Sequence, residues 1–368
     1  MKSKKILINA FSAKLGGGKT YVLNLLDRLP KGDFEILIYL PDDIVLPNDS
    51  RVRRMTTSWP THNPIIRSWW EMLALPFILV QEKVDVLFCP GGVHNTPSSQ
   101  RYKIATMFRN MLPFDPNIIP GGQSFKEKLR DVLLKRVMLK TMTTADLVIF
   151  ISDYARKVIE SQAKIKSAVT IPHGIANQFY VLDESLSRPS LPFDGEYILY
   201  VSRFEFYKRH LEVVQAYEKL PHHIRERYKL LLVGGAEYRA GLRVKDYVKQ
   251  NGLENEVIFL GDYPYVQLPA LYKNARLFVF ASTCENCPNI LLEAMGSGVP
   301  ILCSDYQPMP EFGGTAVSYM NPDSPDDIAE KIQTSLLASN NSVQLKSQAD
   351  KFNWDVTAEK TWDLLLKL

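Results

Sequence analysis

The sequence predicts an α/β protein of two doubly wound domains, and three observations carry that expectation. Short β-rich apolar runs recur along the chain, each followed by a longer stretch that reads as helix or loop. Near the middle, a segment of prolines, serines and glycine interrupts this rhythm. The length of 368 residues, at ~150 residues per domain, matches about two domains.

In the first half the runs are Lys5–Ala10, Phe34–Leu40, Asp85–Cys89, Tyr102–Phe108, Leu147–Ser152 and Ala168–Ile171. In the second they are Tyr197–Ser202, Lys229–Val233, Val257–Leu260, Leu277–Ala281, Val299–Cys303 and Ala316–Met320. Near-continuous Val, Ile, Leu and Phe runs of this length suit parallel strands covered on both faces. Alternating with helices, they build βαβ units and open sheets. The stretch VLDESLSRPSLPFDGE, residues 181–196, has linker chemistry and no apolar periodicity. This assigns residues 1–180 to a first domain and 197–353 to a second. Residues 354–368, with Val356, Trp362, Leu364, Leu365 and Leu366, read as a C-terminal helix packing back on the first domain.

With 46% hydrophobic and 23% charged residues, the chain has ample apolar content for two cores and not the balance of a disordered one. The net charge of +4 is unevenly spread. Residues 1–185 hold 25 Lys and Arg against 17 Asp and Glu, giving +8, and residues 186–368 hold 19 against 23, giving −4. A whole-surface nucleic-acid binder is excluded on this balance, while the first half favours an anionic partner. The start shows no secretory signal. The longest apolar run, Leu73 to Val80, falls far below the ~20 residues of a membrane helix. Four cysteines in such a chain do not form a disulfide scaffold, which points to a reducing cytoplasm.

Ligands of open α/β sheets bind beyond the carboxyl ends of the strands, and three candidate segments follow strands. Gly16-Gly17-Gly18-Lys19-Thr20 comes after the first run. A phosphate-cradling G-x-x-x-x-G-K-[ST] loop needs glycine where Ala13 stands. A glycine loop opening a helix toward a ligand fits better. Arg203 and Lys208, in SRFEFYKRH, follow the first strand of the second domain and open a helix; two cations beside helix amides suit a diphosphate. In CENCPNILLE, Pro288 opens a helix whose free amides near Asn289 and Ile290 form an anion site, with Glu285 in the preceding loop and Glu293 one turn inside. Cys284 and Cys287 have C-x-x-C spacing, but Cys89 and Cys303 supply no second pair for a zinc site, so no metal site is expected.

These segments resemble those of the retaining GT-B glycosyltransferases, specifically glycosyltransferase family 4. The resemblance rests on YVSRFEFYKRH, LLLVGG (230–235), VIFLGD (257–262), LPALYKNARLFVFAS, the E-x7-E element Glu285…Glu293 and EAMGSGVPILCSD, in that order. IPHGI (171–175) and the GGGKT loop resemble elements of the family's first half. The fold implied is GT-B, two Rossmann-like doubly wound domains facing across a cleft. The activity implied is a hexosyltransferase-type transfer from a nucleoside-diphosphate sugar, UDP- or GDP-linked, to a glycan or lipid-linked acceptor in cell-surface polysaccharide synthesis.

By position, the resemblance implies that Arg203 and Lys208 hold the donor diphosphate, Asn289 and Ile290 add backbone donors, Glu293 binds the ribose and Glu285 contacts the transferred sugar. Gly234 allows close approach to the nucleotide, Gly17 and Gly18 serve the donor from the first domain, and Glu311 is a further candidate. Arg203, Lys208 and Glu285 form the catalytic group. The chain contains no Asp-x-Asp element, so a metal-independent reaction is expected, with no cofactor beyond the donor substrate. Relatives carry His-Asp after the fourth strand, where this chain has Arg109-Asn110; His94 and His173 are the histidines placed to substitute on the acceptor side.

The segment 125–142 reads as a basic amphipathic helix with Phe125, Leu129, Leu133, Val137 and Met138 on one stripe. Arg51, Arg53, Arg54, Arg67, Trp59, Trp69 and Trp70 lie in the same domain. The alternatives are an ordinary helix covering the sheet or contact with an anionic membrane surface, the second placing the protein peripherally on the inner face of the membrane. Competing functions are a GT-B sugar-nucleotide epimerase, a P-loop-like nucleotide-binding protein and a non-catalytic binder.

Overall fold

The structure is a computed structural model describing residues 3–13, 17–41, 44–115, 125–180, 189–338 and 341–368. The chain forms two compact units. Unit 1 comprises Met1–Phe114, Gln123–Gly174 and Asn353–Leu368, and unit 2 comprises Asp115–Gly122 and Ile175–Phe352. Of the linker assigned from sequence, residues 181–188 lie outside the described residues.

Unit 1 holds β1 (Lys4–Asn9), β2 (Phe34–Tyr39), β3 (Val52–Arg54), β4 (Val86–Cys89), β5 (Lys103–Phe108), β6 (Leu147–Phe150) and β7 (Ala168–Thr170). They pair in parallel in the order β3-β2-β1-β4-β5-β6-β7. Unit 2 holds β8 (Glu196–Val201), β9 (Tyr228–Val233), β10 (Val257–Gly261), β11 (Leu277–Phe280), β12 (Ile301–Ser304) and β13 (Ser318–Met320). These are also parallel, in the order β10-β9-β8-β11-β12-β13. Each sheet has a point where the chain reverses its direction of travel across the strands, between β1 and β4 in unit 1 and between β8 and β11 in unit 2. Such switch points open a crevice at the carboxyl ends of the strands.

Every residue of β4, β6, β11 and β12 is buried. That is why these strands read as unbroken apolar runs, since helices cover both faces of the sheet. β3 is the strand that sequence reading missed. It is a three-residue edge strand, Val-Arg-Arg, half exposed throughout, and a polar edge carries no apolar signal.

Right-handed crossovers put helices on a face set by the direction of travel. The Gly17–Leu26 helix, between β1 and β2, takes one face of sheet 1, and the C-terminal Trp354–Lys367 helix joins it there. Trp362 Nε1 donates to the Leu25 carbonyl at 3.0 Å, and Tyr21 Oη is hydrogen-bonded to Thr361 Oγ1 at 3.1 Å. The Pro64–Leu73, Leu75–Gln81, Phe125–Thr144 and Asp153–Glu160 helices cross in the other direction and share the opposite face.

Two expectations for this face need correction. The Phe125–Thr144 helix exists, but its expected stripe does not stay together: Met138 is buried, whereas Leu129 and Leu133 are exposed, and the side chain of Phe125 lies outside the described residues. The arginine cluster is also internally spent. Arg51 pairs with Asp49 at 2.7 Å, Arg53 with Glu82 at 2.8 Å, and Arg54 donates to the Pro41 carbonyl at 3.3 Å, while Trp70 is a core residue. No helix among the described residues is long and apolar enough to cross a membrane.

Candidate active site

The switch point of unit 2 brings together the residues that sequence placed after β8 and β11. The YKRH segment sends its three basic side chains to different fates. Lys208, in the short Phe206–Lys208 turn, is buried and ion-paired with Glu285, which lies 77 positions further on. Its ammonium also sits 5.3 Å from the ring centroids of Tyr207 and Phe280, a setting that favours a cation in a poorly solvated pocket. Arg209 takes a left-handed conformation, φ 53°, and pairs with Asp323 at 2.6 Å and Glu212 at 3.5 Å. His210 stacks between Phe204 and Tyr200, centroids 3.9 and 4.4 Å away. Burial, then the nearby Lys208 charge, lowers its pKa to about 3, so its ring is neutral at physiological pH.

Thr283 fixes the loop that carries Glu285 to the turn that carries Lys208. Its N–H and its Oγ1 both donate to the Tyr207 carbonyl, at 2.8 and 3.1 Å. The ion pair is therefore held from both loops, and Thr283 is a site residue that no motif marked. Arg203 is exposed on the loop after β8. It does not open a helix as expected: the Phe206–Lys208 turn intervenes, and the His210–Glu218 helix begins only after Arg209.

The Asn289–Ser297 helix starts directly after Pro288, as the proline implied. The Asn289 N–H is held by the Cys287 carbonyl at 2.9 Å, and the Leu292 N–H closes on the Pro288 carbonyl at 3.1 Å. The first-turn amides without an intrahelical partner are then best represented by Ile290, while Asn289 is already engaged in the turn. Glu293, one turn inside, is buried and accepts a hydrogen bond from Tyr265 Oη at 2.9 Å. Burial pushes its pKa up to about 8, and the Tyr265 hydrogen bond works against that rise. Tyr265 was not foreseen; it follows β10 and lies 28 positions from its partner.

Gly234 allows a close approach of backbone to backbone. Its φ is +136°, and a Cβ there would sit 2.1 Å from the Ser202 carbonyl oxygen and 3.1 Å from the Arg203 nitrogen. The glycine lets the end of β9 press against the loop that presents Arg203. Glu311 lies in the Met309–Gly313 helical turn. Cys284 and Cys287 are buried free thiols, as are Cys89 and Cys303, and burial raises the Cys284 pKa. Among the described residues no group of three or more His, Cys, Asp and Glu side chains is arranged to hold a metal ion.

The first domain's candidates, Gly17 and Gly18 expected on the donor side and His94, Arg109, Asn110 and His173 expected on the acceptor side, lie in unit 1. Gly17 and Gly18 form the first turn of the helix after β1. On the other side of this switch point, Gly91 follows β4, where a Cβ would sit 1.7 Å from Ser12 Oγ. His94 is buried in the same loop, and its carbonyl accepts from Thr141 Oγ1 at 3.1 Å. Burial lowers its pKa to about 4. His173 is buried in an aromatic stack, 5.4 Å from Trp354 and 5.6 Å from Tyr21. Arg109 lies 5.7 Å over the Tyr21 ring, and Asn110 Oδ1 accepts from the Leu112 N–H at 3.1 Å to open a turn. These placements correct the expectation of a histidine presented to an acceptor, because both imidazoles are packed inside unit 1. The buried carboxylate here is Glu71, which sequence reading passed over. It accepts from Asn9 Nδ2 at 2.8 Å and from the Asn95 N–H at 3.1 Å, tying the end of β1 to the loop after β4.

Two doubly wound parallel-sheet units, with cations, helix amides and carboxylates gathered at a switch point, define a GT-B enzyme architecture. The family model for "Glycosyltransferase Family 4" matches residues 15–179, and that for "Glycosyl transferases group 1" matches residues 183–352. Between them they span both units, and the chain belongs to the GT-B glycosyltransferases. Over 247 residues it is 28% identical to the O-antigen chain mannosyltransferase B of Escherichia coli, 64% of each chain being covered. It spans less than a third of the length of three further E. coli mannosyltransferases. The fold is similar to that of the sucrose-phosphate synthase of Thermosynechococcus elongatus, with TM-score 0.77, 18% identity and 98% of each chain covered. It is also similar to Anabaena HepE in complex with UDP-glucose, with TM-score 0.72, 18% identity, and 99% of this chain and 100% of that one covered.

Proposed function

We propose that the chain transfers a hexosyl group from a nucleoside-diphosphate sugar to a glycan or lipid-linked acceptor, with retention of configuration and without a divalent metal. The observation that carries this reading is the Lys208–Glu285 pair at the switch point of unit 2, one loop away from the Asn289–Ser297 helix N-terminus. A diphosphate leaving group gathers negative charge as its bond to the sugar breaks, and fixed donors aimed at that charge lower the barrier. Arg203, Lys208 and the Ile290 amide are the groups for this task. Lys208 then exchanges Glu285 for phosphate oxygen, which frees the carboxylate to accept from sugar hydroxyls, while Glu293 meets the ribose.

In the reaction, the bond between the anomeric carbon and the β-phosphate oxygen breaks and its electron pair stays on phosphate. The acceptor hydroxyl bonds to that carbon from the same face, and its proton passes to the departing phosphate oxygen. Relatives named as mannosyltransferases and a fold neighbour bound to UDP-glucose support a hexose donor and leave two bases to test. The O-antigen relative supports a place in cell-surface polysaccharide assembly.

The test is a thermal-shift screen of UDP- and GDP-hexoses, followed by turnover with the stabilising donor in excess EDTA. One donor class should stabilise the wild-type chain, and EDTA should leave turnover intact. Lys208→Ala should lose the shift and roughly 10²–10³-fold in kcat/KM. Stabilisation by no nucleotide sugar, or equal stabilisation of Lys208→Ala, would sink the reading.

A further inference from the structure

Arg209, the residue after Lys208, stands in a conformation that its side chain disfavours. At φ 53° and ψ 35° it is left-handed, a region where a Cβ crowds the backbone and glycine is at ease. Among the described residues Lys83 is the other non-glycine with a positive φ. Both neighbours of Arg209 hold it there. Its N–H donates to the Phe206 carbonyl at 3.3 Å, closing the turn that carries Lys208, and its carbonyl accepts from the Val213 N–H at 3.1 Å, opening the His210–Glu218 helix. An extended or right-handed residue at 209 would redirect the chain and move Lys208 with it.

Glycine would supply this conformation without strain, so the arginine side chain must do something that glycine cannot. Its guanidinium is buried, and Nε is sealed from solvent without a hydrogen-bond partner, an arrangement that itself costs stability. The two terminal nitrogens reach Asp323 at 2.6 Å and Glu212 at 3.5 Å. Asp323 also accepts from Tyr306 Oη at 2.6 Å. Arg209 follows β8, Tyr306 follows β12 and Asp323 follows β13. The sheet order places β11 and β12 between β8 and β13, so the guanidinium reaches along the carboxyl edge of the sheet. Thr283, after β11, holds the Tyr207 carbonyl of the same turn. The Lys208 turn is thus tied to the ends of all three strands on this side of the switch point. Strained backbone persists where its surroundings over-determine it, and such places cluster at functional sites.

We propose that Arg209 is a positioning residue for the donor diphosphate: its clasp on Asp323 holds position 209 left-handed and so keeps the Lys208 ammonium aimed into the site. This role rests on Lys208 being a diphosphate ligand, as proposed above. Arg209 itself meets no phosphate, its charge being spent on Asp323 and Glu212. A merely stabilising Arg209 would lower the melting temperature on removal and leave the affinity of the folded chain unchanged. A positioning Arg209 makes nucleotide affinity depend on how well residue 209 tolerates the left-handed conformation.

The test is calorimetric titration of the full chain with UDP and with GDP, each variant first checked for a cooperative melting transition. Arg209→Ala keeps the Cβ and loses the clasp, and should weaken nucleotide binding by about tenfold. Arg209→Gly loses the same clasp but adopts the conformation freely, and should bind within about threefold of wild type. Asp323→Asn weakens the clasp from its other, partly exposed end and should shift affinity in the same direction as Arg209→Ala. Added to Arg209→Gly it should change nothing further, since the clasp is already gone. Wild-type affinity in Arg209→Ala, or binding by Arg209→Gly as weak as that of Arg209→Ala, would overturn the proposal. If Arg209→Ala does not fold, wild-type affinity in Asp323→Asn overturns it instead. Lys208→Ala separates this role from the reading beneath it. A loss of binding in Lys208→Ala with none in Arg209→Ala removes the clasp alone, whereas wild-type binding by Lys208→Ala, or no binding of either nucleotide by the wild-type chain, removes both.

Discussion

Lys208 and Glu285 neutralise each other in a pocket walled by Tyr207 and Phe280. A diphosphate must therefore compete with a carboxylate for the same ammonium. Replacing Glu285 with glutamine leaves the shape and removes the competing charge. Glu285→Gln should bind UDP or GDP more tightly than wild type, by up to about tenfold, while losing turnover; calorimetry beside a kcat measurement separates the two effects. Weaker nucleotide binding in that variant would show that the pair does not compete with phosphate. Glu293 makes a prediction of the opposite kind, about stability. Its pKa is raised from 4.5 to about 8, so between those values the folded chain binds a proton that the unfolded chain has released. Stability contributed by this group is thus full at low pH and falls as pH rises through the window, by up to about 1.4 kcal/mol per pH unit. Glu293→Gln should lack that slope, and the difference between urea midpoints of the two proteins from mildly acidic to mildly alkaline pH measures it. Parallel slopes for both would mean that Glu293 ionises normally.

Elements place these side chains, and the tightest constraint is where β9 meets the loop after β8. Gly234→Ala would force a Cβ against the Ser202 carbonyl at a φ that L-residues avoid, costing at least about 2 kcal/mol. Because the displaced backbone leads into Arg203, the donor KM should rise as well. An unchanged urea midpoint would show that the loop yields freely. How far such elements can be read from sequence depends on what surrounds them. β4, β6, β11 and β12 were legible because strands buried on both faces are apolar almost throughout, Ser304 at the end of β12 being the exception. β3 was not, since an edge strand of Val52-Arg53-Arg54 reads as a patch of charge. Periodicity located the apolar stripe of Leu129 and Leu133 but not its direction, because a repeat of 3.6 is the same whether the stripe meets a sheet or water. The Glu285–Glu293 helix start was legible from Pro288 and its spacing. Tyr265 and Thr283 were not, as each acts through a tertiary contact that no local pattern encodes.

At the scale of the molecule, the chain order and the units disagree, and the disagreement has a consequence for stability. Residues 353–368 come last yet belong to unit 1. Their Trp354–Lys367 helix buries Trp354, Ala358, Trp362 and Leu365. Trp362 packs 6.2 Å from the Phe34 ring and donates to the Leu25 carbonyl, 337 positions away in sequence. Thr357 donates to the Pro172 carbonyl at 2.8 Å, and a Cβ on Gly174 would strike the Trp354 backbone at 2.1 Å. The first domain's core is therefore closed by a helix separated from it in sequence by unit 2, with a large loop-closure entropy to overcome. Trp362→Ala would leave a cavity the size of an indole at the heart of that closure and strip the Leu25 carbonyl of its indole donor, leaving it the Arg28 N–H at 3.4 Å. The expected cost is about 3–5 kcal/mol, read by circular dichroism as a lower urea midpoint. None of these contacts lies in unit 2, where the useful cations are local to Arg203 and Lys208. Under conditions where Trp362→Ala remains folded, its affinity for UDP or GDP should match wild type. A loss of nucleotide binding as large as that of Lys208→Ala would mean that the donor site needs the terminal helix as much as its own cations.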